Sequence, residues 1–362
     1  MNIFSDFRKD AARSMDTTGG YEWWYFDAVS ADDQFSFVII FYRGNPFSRR
    51  YISQLNSDSV NARPSKFPAI SISVYEDGDP IYYSFTEFEA SDCSFDEERP
   101  FVEVGPHRME IQNTSGLLKY HLTLEETLAS GDQIEASLTF KSSLPVDSLF
   151  KNCDERSGEH LWNLVQPRAE VEGSFHITGP TVEAREIGFK GRGYHDHNTG
   201  YEPMHNEFED WYWGRFHFSH ATLVYYLMNR ESDKQHRAWL IDNNNGKVLN
   251  ELDNVRLEDE GRTLFGLRTA HRIWLHSDRV SVQIQQGRLL DNGPFYQRFM
   301  SDAFLQIVDQ DYIESQRGIS EYICPQRIYN RFFWPFVNMR IRYMAENPHW
   351  VQQFPGLYRW TW

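Results

Sequence analysis

The segment GRGYHDHNTGYEP, residues 191–203, gathers side chains that move protons or hold cations. His195 and His197 flank Asp196. In an extended chain successive side chains alternate, so the two imidazoles share one face and Asp196 takes the other. Three chemistries are open to such a pattern. A His-x-His pair can ligate a metal if a third ligand joins it, with His205 and Glu202 the nearest candidates. The spacing matches no strong metal motif, however, and no metal is expected. A carboxylate beside an imidazole can orient the ring and tune its pKa, which makes Asp196 and His197 candidates for acid–base catalysis. The bland alternative is a polar turn whose side chains satisfy backbone groups. On these residues alone the last two readings are evenly matched.

Aromatic strands supply candidate walls for a binding cavity. In GGYEWWYFDA (19–28), Glu22, Trp24 and Phe26 share one face of a strand and Trp23, Tyr25 and Asp27 the other. A strand buried on both sides explains most of this, and Trp24 is kept as a cavity residue. In DWYWGRFHF (210–218), Trp211 and Trp213 alternate with Tyr212. The run ATLVYYLMN (221–229) pairs with it as a hairpin through Ser219 and His220, and Tyr225 and Tyr226 point to opposite faces. Tyr296 and Arg298 follow a turn in NGPFYQRF (292–299). Ordinary barrel packing accounts for most of these rings. Hydrolase, kinase and dehydrogenase readings gain no support, because the chain has no G-x-S-x-G, no P-loop and no Rossmann glycine fingerprint.

The elements that must carry these residues are strands. Period-two alternation marks ISISVY (70–75), YHLTLE (120–125), IEASLTF (134–140) and VSVQIQ (280–285) as half-buried antiparallel strands. EDGDP (76–80), ASGDQ (129–133) and DNNNGK (242–247) are turns between them. Many short strands and few amphipathic helices indicate an all-β barrel or sandwich. The 362 residues suggest two domains, 1–180 and 181–362, with the boundary uncertain by about ten residues either way. The stretch 142–160 shows no period and reads as a long loop. FFWPFVNMRIRYM (332–344) reads first as a core or docking segment, with a short helix broken by Pro335 as the alternative.

Composition narrows the partners. Aromatic residues make up 16% of the chain, a surplus that suits an apolar cavity as well as strands. A net charge of −16 repels phosphate backbones and argues against nucleic acid. Three scattered cysteines, Cys93, Cys153 and Cys324, form no disulfide framework and fit a reducing, cytoplasmic compartment. No signal peptide and no apolar run long enough to span a bilayer are legible.

GGYEWWYFDA, LWNLVQPRAEVEGSF, GRGYHDHNTGYEP, WYWGRF and GPFYQR occur in the order and at roughly the spacing of the carotenoid 1,2-hydratase (hydroxyneurosporene synthase) family. The chain resembles that family from about Gly19 to its end region. The resemblance implies two tandem lipocalin-like (calycin) β domains with few short helices, an architecture similar to that of fungal decalin-forming Diels–Alderases. It also implies cofactor-free addition of water to a terminal isoprenoid double bond. In the family pattern the histidine of an Asp-His-Asn segment is followed two positions on by tryptophan. The matching positions here are His197 and Thr199, so the histidine carries over and the indole does not. The family also pairs a tyrosine with an aspartate two residues later, and the matching positions here are Tyr226 and Met228.

The expected catalytic residues are therefore Asp196, His197 and Tyr226. The expected substrate contacts are Glu22, Trp24, His195, Asn198, Thr199, Trp211, Trp213 and Tyr296. Hydration of an apolar isoprenoid or polyene is the leading reading. Cyclisation of such a precursor, cationic or of Diels–Alder type, comes second, and a non-catalytic lipophilic carrier third. Transient contact with a membrane surface is compatible with so apolar a substrate, although no basic amphipathic helix argues for it. Nothing in the sequence sets an oligomeric state.

Overall fold

Each alternating segment becomes a strand. Ile134, Ala136, Leu138 and Phe140 alternate inward along Gln133–Ser143 while their polar neighbours face out. ISISVY lies in Ala69–Glu76, YHLTLE in Leu117–Thr127 and VSVQIQ in Val280–Asn292. The turn signals hold as well: Gly78, Gly131 and Gly246 all take positive φ, a conformation glycine adopts without steric cost. The computed structural model describes every residue except 15, 58–59, 113–115, 144–159, 181, 231–232, 309 and 311. The loop expected at 142–160 thus lies almost wholly outside the described residues.

The chain folds into two units, each a lipocalin-like β domain built on one curled half-barrel sheet. The first unit runs to Met204 and takes in Phe332–Trp362 as well. Its strands are β1 (Asn2–Phe4), β2 (Tyr21–Ser30), β3 (Phe35–Arg43), β4 (Ala69–Glu76), β5 (Asp79–Glu87) and β6 (Cys93–Phe95). They continue with β7 (Phe101–Val104), β8 (His107–Ile111), β9 (Leu117–Thr127), β10 (Gln133–Ser143), β11 (Leu161–Gly179) and β12 (Val182–Gly200). Helix α1 (Arg49–Asn56) lies between β3 and β4, and α2 (Met204–Glu207) follows β12. The second unit holds β13 (Asp210–His217), β14 (Ala221–Asn229), β15 (Lys234–Asp242), β16 (Val248–Glu251) and β17 (Asn254–Arg262). It is completed by β18 (Arg268–His276), β19 (Val280–Asn292), β20 (Tyr296–Ile307) and β21 (Tyr312–Ile323). Beyond it come α3 (Trp334–Arg340), β22 (Arg342–Tyr343) and α4 (Pro355–Trp360).

In the first unit β12 is central, antiparallel to β2 on one side and to β11 on the other. β1 adds in parallel to β11, and β22 in parallel to β5 at the edge. Aromatic rings fill the interior. Phe37 meets Phe175 and Phe189 edge-on at 5.2 and 4.9 Å, and Phe26 meets Phe140 at 5.2 Å. The second sheet buries Tyr212, Tyr225, Leu227, Ile273, Ile284 and Tyr322 in its own core.

Two expectations change. Residue 180 is not a boundary: Gly179 pairs with Val182 at the end of the β11–β12 hairpin, whose arms stay paired within one sheet from Leu161 to Thr199. The units divide after Met204 instead, and Phe332–Trp362 returns to the first. Pro335 does not break a helix. It lies in the first turn of α3, where its missing N–H is not needed.

The glycines of the histidine segment answer to packing. A Cβ on Gly193 would meet Val171 Cγ2 at 2.7 Å and Phe140 Cε1 at 2.8 Å, with the Asp27 carbonyl closer still. Gly193→Ala is expected to cost about 1–3 kcal/mol through overpacking, read as a lowered denaturation midpoint. An unchanged midpoint would show that β12 can shift without penalty.

Candidate acid–base site in the first unit

The residues at the centre of this site come from four places in the chain. Asp6 caps the single 3-10 turn Phe7–Lys9 by accepting from the Arg8 amide at 3.1 Å. Asn163 on β11 clamps the same segment: its Oδ1 accepts from the Asp6 amide and its Nδ2 donates to the Asp6 carbonyl, both at 2.9 Å. Trp24 on β2 donates from Nε1 to the Asp10 carbonyl at 3.0 Å. Held in this way, Asp10 projects its carboxylate onto the face of β12 that carries His195 and His197.

The polar contacts form one network. Tyr120 on β9 donates its hydroxyl to Asp10 Oδ2 at 2.5 Å, and His195 Nε2 lies 3.1 Å from the same oxygen. His195 Nδ1 donates to the Tyr25 carbonyl at 3.0 Å. His197 Nε2 lies 2.9 Å from Glu22 Oε1. His197 Nδ1 lies 3.2 Å from Asp10 Oδ1, within charge attraction but off the hydrogen-bond line. Glu22 Oε1 also accepts the Arg13 amide at 2.8 Å, and the Arg43 guanidinium stands 3.6 Å from Oε2. Aromatic rings cover the imidazoles: Phe26 stacks on His195 at 3.8 Å and Trp24 on His197 at 4.5 Å. Asp10, Glu22, Trp24, Tyr120 and His195 have no exposed surface at the level of a percent, and His197 is 1% exposed.

Both nitrogens of His197 face carboxylate oxygens, an environment that suits the doubly protonated ring. Burial works to lower the His197 pKa, but the hydrogen bond to Glu22 and the charge attraction of Asp10 and Glu22 outweigh it and raise the ring above its ordinary 6.5. Burial likewise pushes the Asp10 carboxyl up, and His195 and His197 together reverse this and hold it at about 2. The two shifts, upward for His197 and downward for Asp10, both favour the charged pair.

The other face of β12 carries a separate network. Asp196 Oδ2 accepts from Trp162 Nε1 and from the Tyr194 hydroxyl, both at 2.7 Å, and Oδ1 accepts from Asn198 Nδ2 at 2.9 Å. His160 Nε2 donates to Asn198 Oδ1 at 2.9 Å, and its Nδ1 lies 3.1 Å from the Tyr21 hydroxyl. Asp196 is therefore not the partner of His197. Strand alternation turns it away, and Asp10 and Glu22 take that place. Thr199 is buried, in register with Glu22 on β2 and Leu161 on β11. Of the expected residues, Glu22, Trp24, His195 and His197 come together, while Asp196 and Asn198 lie on the opposite face.

The remaining candidates belong to the second unit. Trp211 and Trp213 share a face of β13 with Tyr226 of β14, and Trp211 stacks on Tyr226 at 6.1 Å. On the other side of β13, Glu321 is in register with Trp213 and forms a buried 2.8 Å ion pair with Arg298. The Arg298 guanidinium lies over the Tyr296 ring at 5.1 Å. Burial pushes the Tyr296 hydroxyl well above its usual range, opposed by the Arg298 charge.

Residues 39–348 match the family model described as carotenoid hydratase CrtC. The chain belongs to the carotenoid hydratase family. A hydroxyneurosporene dehydrogenase of Chlorobaculum tepidum is 31% identical over 364 residues, covering 94% of this chain and 92% of that one. An acyclic carotenoid 1,2-hydratase of Rubrivivax gelatinosus is 25% identical over 221 residues, covering 59% of this chain and 50% of that one. Two solved structures share the fold at 13% identity. An AttH-like protein of Nitrosomonas europaea has a TM-score of 0.59 and covers 88% of this chain and 96% of its own. CghA with Sch210972 has a TM-score of 0.55 and covers 88% and 97%. Membership supports an enzyme, with an apolar polyene as the substrate class the family implies.

The buried network has a pH signature. Asp10, with its pKa lowered, contributes stability above about pH 4, lost as pH falls through about 2. His197, with its pKa raised, contributes fully below 6.5, and that contribution is lost as pH rises through the raised value. The unfolding free energy of the wild type is expected to decline as pH rises above 6.5 more steeply than that of His197→Gln. Parallel profiles in urea unfolding would contradict a charged His197.

Proposed function

We propose that this enzyme protonates a carbon–carbon double bond of an apolar isoprenoid or polyene and adds water to the cation, with His197 as the acid. The observation that carries this reading is the His197 ring held between Asp10 and Glu22 in a dry aromatic setting. The π pair of the alkene takes the His197 proton to form a C–H bond, and the other alkene carbon becomes a tertiary cation. A lone pair of water forms the C–O bond. The surplus proton of that water returns to the cluster, where Asp10 and Glu22 restore the imidazolium. Atoms and charge balance without an oxidant or reductant. The Trp24 ring stacked on the imidazole offers a π face to positive charge as it moves from the ring to substrate, and exclusion of bulk water strengthens each charge interaction. Asp196, tied by three donors, is a positioning group that fixes the strand from behind. In the second unit, Trp211, Trp213 and Tyr226 form an aromatic face of their own, and Tyr226 and Tyr296 remain candidate contacts for an apolar chain there.

Two departures from the family pattern favour a second reading, cyclisation of a polyene. Thr199 stands where hydratases resembling this chain carry an indole, and Met228 where they carry a carboxylate. A member lacking those groups can protonate or fold a polyene and close a ring in place of admitting water.

Turnover in H₂¹⁸O separates the two. Label in a product heavier by one water supports hydration, and an isomeric product without label supports cyclisation. His197→Gln, which keeps the ring's hydrogen-bonding reach, is expected to lower kcat by about 10²–10⁴, the usual worth of a positioned general acid. Removing the ring outright with alanine leaves two buried carboxylates unpaired and is expected to cost about 3–5 kcal/mol of stability. Full turnover by His197→Gln would remove the histidine from the mechanism.

A further inference from the structure

We propose that Phe332–Trp362 forms a docking face for the surface of an anionic lipid bilayer. Among the described residues, the two exposed tryptophans of the chain both lie here: Trp350 at 58% and Trp360 at 79%. Phe332, Met344, Phe354 and Leu357 of the same stretch are exposed as well. Isolated apolar residues on a surface need no explanation, but a run of large aromatic ones does. Trp side chains are favoured where water meets lipid, because the ring is apolar and its N–H is not.

The exposure follows from how the segment is anchored. Phe354 is the N-cap of α4, so steps of three keep Phe354, Leu357 and Trp360 on one side of that turn. Tyr358 faces inward and donates its hydroxyl to the Arg340 carbonyl at 3.4 Å. Trp350 opens the preceding 3-10 turn, whose next two residues, Val351 and Gln352, are buried. Gln352 Nε2 donates to the carbonyls of Asn338 and Met339 at the end of α3. Inward anchors thus hold an outward apolar stripe. It escapes a search for one amphipathic helix because it is split between a 3-10 turn and a helix of six residues.

Charge selects the partner. Phe332–Trp362 carries three arginines against one acid, Glu346, whereas the whole chain carries 36 basic residues against 52 acidic. The basic character extends to α1. The Arg49 amide donates to the Tyr343 hydroxyl at 3.3 Å, and the Arg49 guanidinium lies over the Tyr343 ring at 5.0 Å and pairs with Glu346. Arg49, Arg50 and Lys66, with Glu89, line a cleft of about 480 Å³ beside this contact, and Arg50 pairs with the buried Glu87 at 3.0 Å. An aromatic stripe edged by arginine matches lipid phosphates, which attract basic side chains near the membrane surface. A second copy docked through this face would bring together two patches of the same net basic sign. No helix among the described residues is long and apolar enough to cross a membrane, so the contact is one of surface docking.

The test is flotation of the full chain with vesicles of phosphatidylcholine alone and of phosphatidylcholine with phosphatidylglycerol. The wild type is expected to float with the phosphatidylglycerol vesicles, less so in high salt. The triple variant Trp350→Ala, Phe354→Ala, Trp360→Ala is expected to bind roughly tenfold more weakly or worse. The single variant Trp360→Ala, at the most exposed of these positions, keeps the result readable if the triple variant folds poorly. Brominated lipid is expected to quench wild-type tryptophan fluorescence more than that of Trp360→Ala. Failure of the wild type to float with either vesicle, or equal flotation and quenching of wild type and Trp360→Ala, would overturn the proposal. So would a dimer that the variant dissociates without any flotation of the wild type. These readouts do not depend on turnover, so they stand apart from the reaction assigned above.

Discussion

A carboxylate with no exposed surface must find compensating charge or hydrogen bonds, and Asp10 finds both. Its two oxygens meet a tyrosine hydroxyl and two imidazoles, and its backbone carbonyl is fixed by an indole. The first unit is organised around that requirement. The 3-10 turn before Asp10, the Asn163 clamp and the aromatic cover from Trp24 and Phe26 all serve to place one charge and keep water from it.

Strand alternation then divides the labour of β12. His195 and His197 share the face that receives Asp10 and Glu22, and Tyr194, Asp196 and Asn198 share the face that receives Trp162 and His160. Two carboxylate–histidine systems lie back to back across one strand. They differ in what they can do. Asp196 accepts three neutral donors, whereas His197 lies between the carboxylates of Asp10 and Glu22. In the proposed mechanism the former fixes the strand and the latter gives the proton.

Much of this was legible in the sequence. Alternation gave the strands, and the same rule correctly grouped Glu22 with Trp24 and His195 with His197. The five ordered motifs pointed to the family and the fold. The partner of His197 was not legible, because adjacency in sequence favours Asp196, and alternation sends adjacent residues to opposite faces. Asp10 carries no local signal: it sits among Arg8, Lys9 and two alanines, and 185 positions separate it from His195. Tyr120 was visible only as part of an alternating strand, since its hydroxyl bond to Asp10 is set by how β9 sits in the sheet. The domain boundary was misplaced for a similar reason: GP at 179–180 reads as a break, yet Gly179 pairs with Val182 at the end of a long hairpin.

The central claim is that His197 is an imidazolium, buried and paired, ready to give up a proton. It is tested most directly by ¹⁵N NMR of histidine-labelled protein, with His197 assigned by its loss in His197→Gln. The account predicts that both His197 nitrogens remain protonated through pH 6.5 and titrate only above it. A neutral His197 ring at pH 6, with one nitrogen unprotonated, would contradict the account.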